Sequence, residues 1–141
     1  MNRIFSGLAS ALLLATLLVA CTKGDSPSST IASDPLVGEF GIAQKGKIAP
    51  AFRVEKTDAG YIFSYEHKGS WEKSSQVAQK FPRELFEELM KSKTDESFTG
   101  LVDRVIMFAK VKPGFTAGNF KTSTGYMIII MMGGPIEVVK M

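Results

Sequence analysis

Two reactive side chains are almost missing from this sequence. Its 141 residues include one cysteine, Cys21, and one histidine, His67. A single cysteine cannot form a disulfide within the chain, and a zinc site usually needs three or four ligands from His, Cys and carboxylate side chains. His67 has no recognisable partner for acid–base catalysis, because the adjacent Glu66 would point to the opposite face of a strand. The sequence therefore predicts no catalytic residue, no metal site and no cofactor, and a protein that is not an enzyme.

Strong charge of either sign is also lacking. The formal net charge of the whole chain is +3, from 17 Lys and Arg against 14 Asp and Glu. Nucleic-acid-binding domains usually carry a strong basic patch, so this balance argues against nucleic acid as a partner. The carboxylates suggest no general acid, because Asp95 and Glu96 lie in a polar stretch, whereas such an acid needs an apolar cleft to raise its pKa. A hydrolase is the least favoured hypothesis.

One long apolar run is present, and it lies at the amino terminus. Arg3 precedes Ile4–Ala20, 17 residues that are apolar or small, a pattern typical of a secretory signal and at the short limit for a membrane span. The run ends in Leu18–Cys21 (LVAC), which resembles the lipobox of bacterial lipoproteins. The resemblance implies that the Cys21 thiol receives a diacylglycerol, that the chain is cut before Cys21, and that the new amino group takes an acyl chain such as palmitate.

Lipidation makes Cys21 the expected membrane anchor, because several acyl chains at ~0.8 kcal/mol per buried methylene hold a protein stably. Thr22 is not the aspartate that retains enteric members of the family in the inner membrane. The resemblance therefore favours the periplasmic face of the outer membrane, and the inner membrane and the cell surface stay open. We expect a signal peptide at 1–20, a flexible lipidated tether at 21–33 with a reach of ~20 Å, and one mostly β periplasmic domain at 34–141.

The first half of the predicted domain has the two-residue period of half-buried strands. Leu36 to Lys73 predicts an antiparallel meander with glycine-containing turns. Gly38 and Gly41 indicate a bulge or a sharp bend in its first strand.

The second half adds one helix and further strands. Pro82 suits the start of a helix, and the apolar stripe after it predicts an amphipathic helix of about ten residues, too short to be stable unless it docks on a sheet. Val105 to Val111 is apolar on both faces, which indicates a central strand. Tyr126–Met132 (YMIIIMM) predicts a fully buried strand, so its three methionines are assigned to the core rather than to a cuprous copper site.

These elements predict a mainly β fold with one helix. We expect a small antiparallel β-barrel or a curved sheet closed by the short amphipathic helix. The candidate binding face consists of the aromatic residues Tyr61, Phe63, Tyr65 and Trp71, because aromatic side chains are enriched at interface hot spots. The alternative interpretation is a cross-strand aromatic ladder that buries the core.

The sequence predicts a lipid-anchored envelope protein that acts as a non-enzymatic binding module for another protein. Such a protein would be an inhibitor or immunity-type factor, or a subunit of an envelope assembly. The alternative is a carrier of a small apolar ligand or lipid, with a lipocalin-like barrel lined by Phe, Ile and Met. Two polar loops, 92–100 and 112–124, are further candidate contacts.

Overall fold

The structure is a computed structural model that describes residues 33–141. The predicted signal peptide at 1–20, the predicted lipidation site Cys21 and the predicted tether as far as residue 32 lie outside the described residues.

Within residues 33–141 the chain forms twelve strands and one helix. The strands in chain order are β1 (Gly38–Gln44), β2 (Lys47–Thr57), β3 (Gly60–His67), β4 (Ser70–Lys73), β5 (Gln79–Lys80), β6 (Thr99–Val102), β7 (Met107–Lys110), β8 (Thr116–Ala117), β9 (Phe120–Lys121), β10 (Tyr126–Ile130), β11 (Gly134–Glu137) and β12 (Val139–Lys140). The helix, α1 (Arg83–Met90), lies between β5 and β6. The predicted mainly β class with one short helix is confirmed.

Ten of these strands form two five-stranded antiparallel sheets. The first sheet has the order β12-β1-β2-β3-β4 and the second has the order β11-β10-β7-β6-β5, while β8 and β9 pair as a small hairpin. The predicted meander is β1 to β4 and is confirmed, with a register shift between Phe40 and Gly41 where a bulge is expected. Both residues of the turn Lys45–Gly46, and both of Lys68–Gly69, have positive φ, which is typical of tight two-residue hairpins.

The chain passes between the two sheets at both of their outer edges. After β4, the Ser74 N–H donates to the Phe63 carbonyl at 2.8 Å, and the chain then enters the second sheet as β5. At the other edge, the chain continues from β11 through Val138 into β12, which pairs with β1. The described strands form two separate ladders rather than a closed barrel, so the curved-sheet form of the prediction is the one observed.

Aromatic rings fill the space between the sheets. The buried residues of this inter-sheet cluster are Leu36, Phe40, Phe52, Val54, Phe63, Leu101, Ile106, Phe108, Ile128 and Val138. The Phe108 ring centroid lies 4.7 Å from that of Phe40 and 5.1 Å from that of Phe52. These residues alternate along their strands with residues of the other face, as the pleat requires. Each buried phenylalanine contributes roughly 1.5–3 kcal/mol of transfer free energy.

The opposite face of the second sheet carries a second apolar cluster. The buried residues of this outer cluster are Phe81, Phe86, Ala109, Val111, Met127 and Ile129. Phe108 and Ile128 point between the sheets while their neighbours Ala109 and Met127 point outward, so the prediction that the strand around residue 108 is apolar on both faces is confirmed. Helix α1 covers the outer cluster and therefore packs on the outside of the second sheet.

Helix α1 covers this face only in part. It has eight residues, and Pro82 precedes it with extended backbone angles. In the predicted apolar stripe only Phe86 is buried, whereas Leu85 and Leu89 expose 44% and 49% of their surface. Lys91 stops the helix in a left-handed conformation. Two turns of helix are too short to shield the whole width of the sheet.

The prediction of a fully buried strand from Tyr126 to Met132 is wrong at its end. Strand β10 stops at Ile130, which pairs with Gly134, so residues 131–133 form the turn into β11. Gly134 has a φ of 75°, a conformation that favours glycine and completes the reversal. Met131 and Met132 are therefore 85% and 99% exposed, and the core assignment holds only for Met127.

Candidate protein-binding surface

The structure separates the four residues of the predicted aromatic face. Phe63 is fully buried, and Tyr61 and Tyr65 are half-buried against the inter-sheet cluster. Trp71 pairs across the strands with Glu66, whereas Tyr65 pairs with Glu72. Because adjacent residues point to opposite faces of a strand, Trp71 lies on the outer face of the first sheet, away from the other three.

Trp71 is partnered on that outer face. The Arg53 guanidinium lies 4.2 Å from the centroid of the Trp71 ring, a cation–π contact. The same guanidinium is held by the Glu39 carboxylate at 2.8 Å. One face of the indole is thus covered by a side chain of the protein itself.

The two tyrosine hydroxyls tie the first sheet to neighbouring segments. The Tyr61 hydroxyl donates to the Asp34 carboxylate at 2.5 Å, and the Tyr65 hydroxyl donates to the Asp103 carboxylate at 2.9 Å. Burial, followed by this hydrogen bond to Asp103, raises the pKa of Tyr65 well above its usual value. The hydrogen bond to Asp34, followed by burial, raises the pKa of Tyr61. Both hydroxyls remain protonated donors at neutral pH.

His67 is exposed at the end of β3, and residues 33–141 contain no group of three or more His, Cys, Asp or Glu side chains able to hold a metal ion. None of the helices in this part of the chain is long and apolar enough to span a membrane. The predicted polar loops 92–100 and 112–124 each pack a partly buried aromatic ring against the outer cluster, Phe98 in the first and Phe115 in the second.

A concave apolar surface lies where the turn between β6 and β7 meets the turn between β10 and β11. Met107 pairs with Ile129, so both turns are at the same end of the second sheet. We call this surface the Met131 hollow. It has a volume of about 270 Å³ and is lined by Leu89, Val102, Asp103, Arg104, Val105, Ile106, Met107, Ile129 and Met131.

Three of the apolar side chains around the Met131 hollow are highly exposed. Val105 exposes 56% of its surface and Met131 85%, and Leu89 at the end of helix α1 exposes 49%. Of the other lining residues, Ile129 belongs to the outer cluster and Met107 packs against it. The hollow is therefore the end of the outer cluster that helix α1 leaves uncovered. Contiguous exposed apolar side chains with a polar rim are typical of interaction sites.

Arg104 and Asp103 form the polar rim. The Asp103 carboxylate is already engaged, because one oxygen accepts from Tyr65 and the other accepts from the Arg104 backbone N–H at 2.7 Å. The Arg104 side chain is exposed, and no carboxylate of residues 33–141 forms an ion pair with its guanidinium. The rim thus presents a guanidinium without an ion pair among residues 33–141, beside a hydrogen-bonded carboxylate and next to an apolar recess.

Sequence reasoning missed this surface because it treated the apolar run of β10 as one buried strand. The signal that could have corrected it is Gly133–Pro135 directly after the run. A chain that reverses before Pro135 needs turn residues, and the last two methionines of the run join Gly133 in that turn.

Comparison with known proteins found no matching family model, no similar curated protein and no similar solved structure. The fold and the surface therefore define only a class: a mainly β protein of two antiparallel sheets with an exposed apolar recess.

Proposed function

We propose that this chain is a lipid-anchored envelope protein that binds another protein through the Met131 hollow and catalyses no reaction. The observation that carries the proposal is the exposed apolar recess at Val105 and Met131 beside the Arg104 guanidinium. The lipobox resemblance of Leu18–Cys21 supports the anchoring. An inhibitor or immunity-type factor and a subunit of an envelope assembly both fit this description.

The shape of the hollow supports a partner segment rather than a free small molecule. Its volume of about 270 Å³ is below the roughly 300–1,000 Å³ of pockets that enclose a drug-sized ligand. It suits one or two side chains that project from a larger surface. The space between the sheets, where a lipid carrier would hold its ligand, is filled by rings such as Phe40, Phe52 and Phe108 in mutual contact.

The charge of the rim indicates the chemistry of the partner. Arg104 has no ion pair among the described residues and presents a planar guanidinium, which suits a carboxylate. We infer that the partner inserts an apolar side chain into the Met131 hollow and places an Asp or Glu against Arg104.

Site-specific photo-crosslinking in intact cells tests this docking. A photoreactive residue at Val105 should give a cross-linked product with one partner, and the same residue at the exposed turn position Lys68 should not. Arg104→Glu should lower the yield of the Val105 cross-link strongly, and Arg104→Lys should lower it less. When the partner is identified, changing its contacting Asp or Glu to lysine should restore the cross-link of the Arg104→Glu variant. Equal cross-linking at Lys68, or a product indifferent to Arg104→Glu, would overturn the docking site.

The anchor has its own test. Cys21→Ala should leave an unprocessed precursor that takes up no labelled palmitate, while the neighbouring Thr22→Ala should be lipidated normally, because only the thiol accepts the lipid. Palmitate labelling of the Cys21→Ala protein would contradict the anchoring.

A further inference from the structure

The three methionines of β10 and its turn differ sharply in exposure. Met127 is fully buried, whereas Met131 and Met132 expose 85% and 99% of their surface. Exposure controls how readily a thioether reacts with an oxidant. The only cysteine of the chain is Cys21, so residues 33–141 contain no thiol, and their exposed methionines are the sulfurs that an oxidant reaches.

The exposed pair lies at the surface to which partner binding is assigned. Met131 lines the Met131 hollow together with Val105, and Met132 is the next residue of the same turn. A flexible thioether is apolar and adapts to a partner's side chain, whereas methionine sulfoxide is polar. A change at this position therefore alters the character of the recess without touching either buried cluster.

We propose that Met131 and Met132 are a site of reversible oxidation by two-electron oxidants such as hydrogen peroxide, and that conversion to methionine sulfoxide weakens partner binding at the Met131 hollow. The second half of this statement rests on the proposed function. Peroxide transfers one oxygen atom to the sulfur, its O–O bond breaks, and the other oxygen leaves as water. The sulfur loses two electrons and the peroxide gains two. A methionine sulfoxide reductase reverses the step with two electrons and two protons, and the oxygen leaves as water.

The oxidation is measured first on the purified full chain in detergent, exposed to increasing hydrogen peroxide. Trypsin releases residues 122–140 as one peptide, because Lys121 and Lys140 flank a segment without Lys or Arg. That peptide carries Met127, Met131 and Met132, so fragment masses compare buried and exposed thioethers in the same molecule. We expect Met131 and Met132 to gain oxygen about tenfold faster than Met127. Equal rates in protein that keeps its circular dichroism spectrum would overturn the proposed site.

The effect on binding is measured with the Val105 cross-link. Peroxide should lower its yield by about fivefold, since a polar sulfoxide disfavours an apolar contact, and methionine sulfoxide reductase should restore it. A double variant, Met131→Leu with Met132→Leu, should give a cross-link yield that peroxide does not change, whatever its yield before oxidation. Met131→Gln, which mimics the polarity of the sulfoxide, should lower the yield without any oxidant. Met141→Leu, at an exposed methionine outside the hollow, should leave the sensitivity to peroxide intact.

The outcomes separate this proposal from the proposed function. Selective oxidation of Met131 and Met132 with an unchanged yield of the Val105 cross-link would support the docking surface. It would overturn the proposal that oxidation weakens partner binding there. Absence of a specific Val105 cross-link before any oxidation would overturn the docking surface, while the peptide measurement would still decide whether Met131 and Met132 are the oxidised pair.

Discussion

The two faces of the second sheet are covered in different ways. The inner face packs against a whole second sheet, so Phe108 is completely buried among the rings of Phe40, Phe52 and Phe63. The outer face is covered by an eight-residue helix and two loops. Phe86 is also fully buried there, but the apolar residues beyond it, such as Leu89, remain half exposed.

The difference shows how an exposed apolar surface arises from incomplete coverage. The first sheet packs against the inner face, whereas a short helix and two loops cover only part of the outer face. The uncovered end becomes the Met131 hollow, whose base is the outer cluster and whose walls are two turns. In our proposal, stability depends mainly on the inner face of this sheet and partner binding on the outer face.

The largest loss of stability is expected from a substitution at the inner face of the second sheet. Phe108→Ala should lower the free energy of unfolding by about 4 kcal/mol, because it removes a buried ring that packs against those of Phe40, Phe52, Phe63 and Tyr126. Phe86→Ala should cost about 3 kcal/mol, since the short helix can settle toward the space left by the ring. Urea denaturation followed by circular dichroism measures both. A larger loss for Phe86→Ala would reverse the ranking of the two faces.

The next effect tests the hydrogen bond between the first sheet and the hollow's rim. Tyr65→Phe should cost about 1–2 kcal/mol, because the Asp103 carboxylate loses a donor. Asp103→Asn keeps an oxygen acceptor and should cost less. The raised pKa of Tyr65 means that the folded state keeps a proton that the unfolded state releases. This contribution is complete below about pH 10 and falls as the pH rises above it, so wild-type stability should decline more steeply in alkali than that of Tyr65→Phe.

A smaller effect tests the loop that covers the outer cluster. One oxygen of the Glu137 carboxylate accepts from the Thr124 N–H at 2.9 Å and from the Thr122 hydroxyl at 3.0 Å, and also from Ser123. Burial acts to raise the pKa of Glu137, but these hydrogen bonds outweigh it and the pKa is lowered. Glu137→Gln should therefore cost about 1 kcal/mol at neutral pH.

The pH dependence of Glu137 has a definite sign. Because its folded-state pKa is depressed, its stabilising contribution is present above the ordinary glutamate pKa of about 4.3 and is lost as the pH falls through the folded-state value. The difference in the free energy of unfolding between wild type and Glu137→Gln should therefore become smaller in acid. The exposed Glu72→Gln serves as the matched control, and a gap that widens below pH 4 would contradict the assignment.

The smallest effect on stability belongs to the hollow itself. Met131→Ser should change the free energy of unfolding by less than about 0.5 kcal/mol, because an 85% exposed side chain contributes little to folding. Met127→Ser, four residues earlier and fully buried, should be strongly destabilising. Equal losses for the two variants would show that the turn is part of the core and would remove the basis for the docking surface.

Local pattern alone was enough to predict much of the fold. The alternation from Leu36 to Lys73, the turns at Lys45–Gly46 and Lys68–Gly69, and the helix after Pro82 all follow from side-chain period and from glycine or proline conformations. The two-sided apolar character around Phe108 also predicted a central strand correctly. These signals depend on residues adjacent or nearly adjacent in sequence, which is why they can be read without the fold.

The candidate site could not be predicted in the same way. Tyr61, Phe63 and Tyr65 have the composition of a binding face, but the second sheet covers their apolar surface. Met131 and Met132 have the composition of a core, but the hairpin register leaves them in a turn. Composition describes what a side chain prefers, while its exposure depends on segments far away in the chain.

By itself, therefore, the sequence determined the class of fold, the succession of a meander, one helix and further strands, and the resemblance of Leu18–Cys21 to a lipobox. Only the tertiary structure decided which apolar residues are enclosed and which are exposed. The physical reason is that the two-residue period of a strand assigns its side chains to two faces of the sheet. Whether each face is covered by a sheet, covered by a helix or left in solvent depends on other parts of the chain. In this protein the first sheet covers one face of the second sheet, and a short helix covers part of the other face. The apolar residues that stay exposed, Leu89 and Met131 among them, form the surface at which we propose binding.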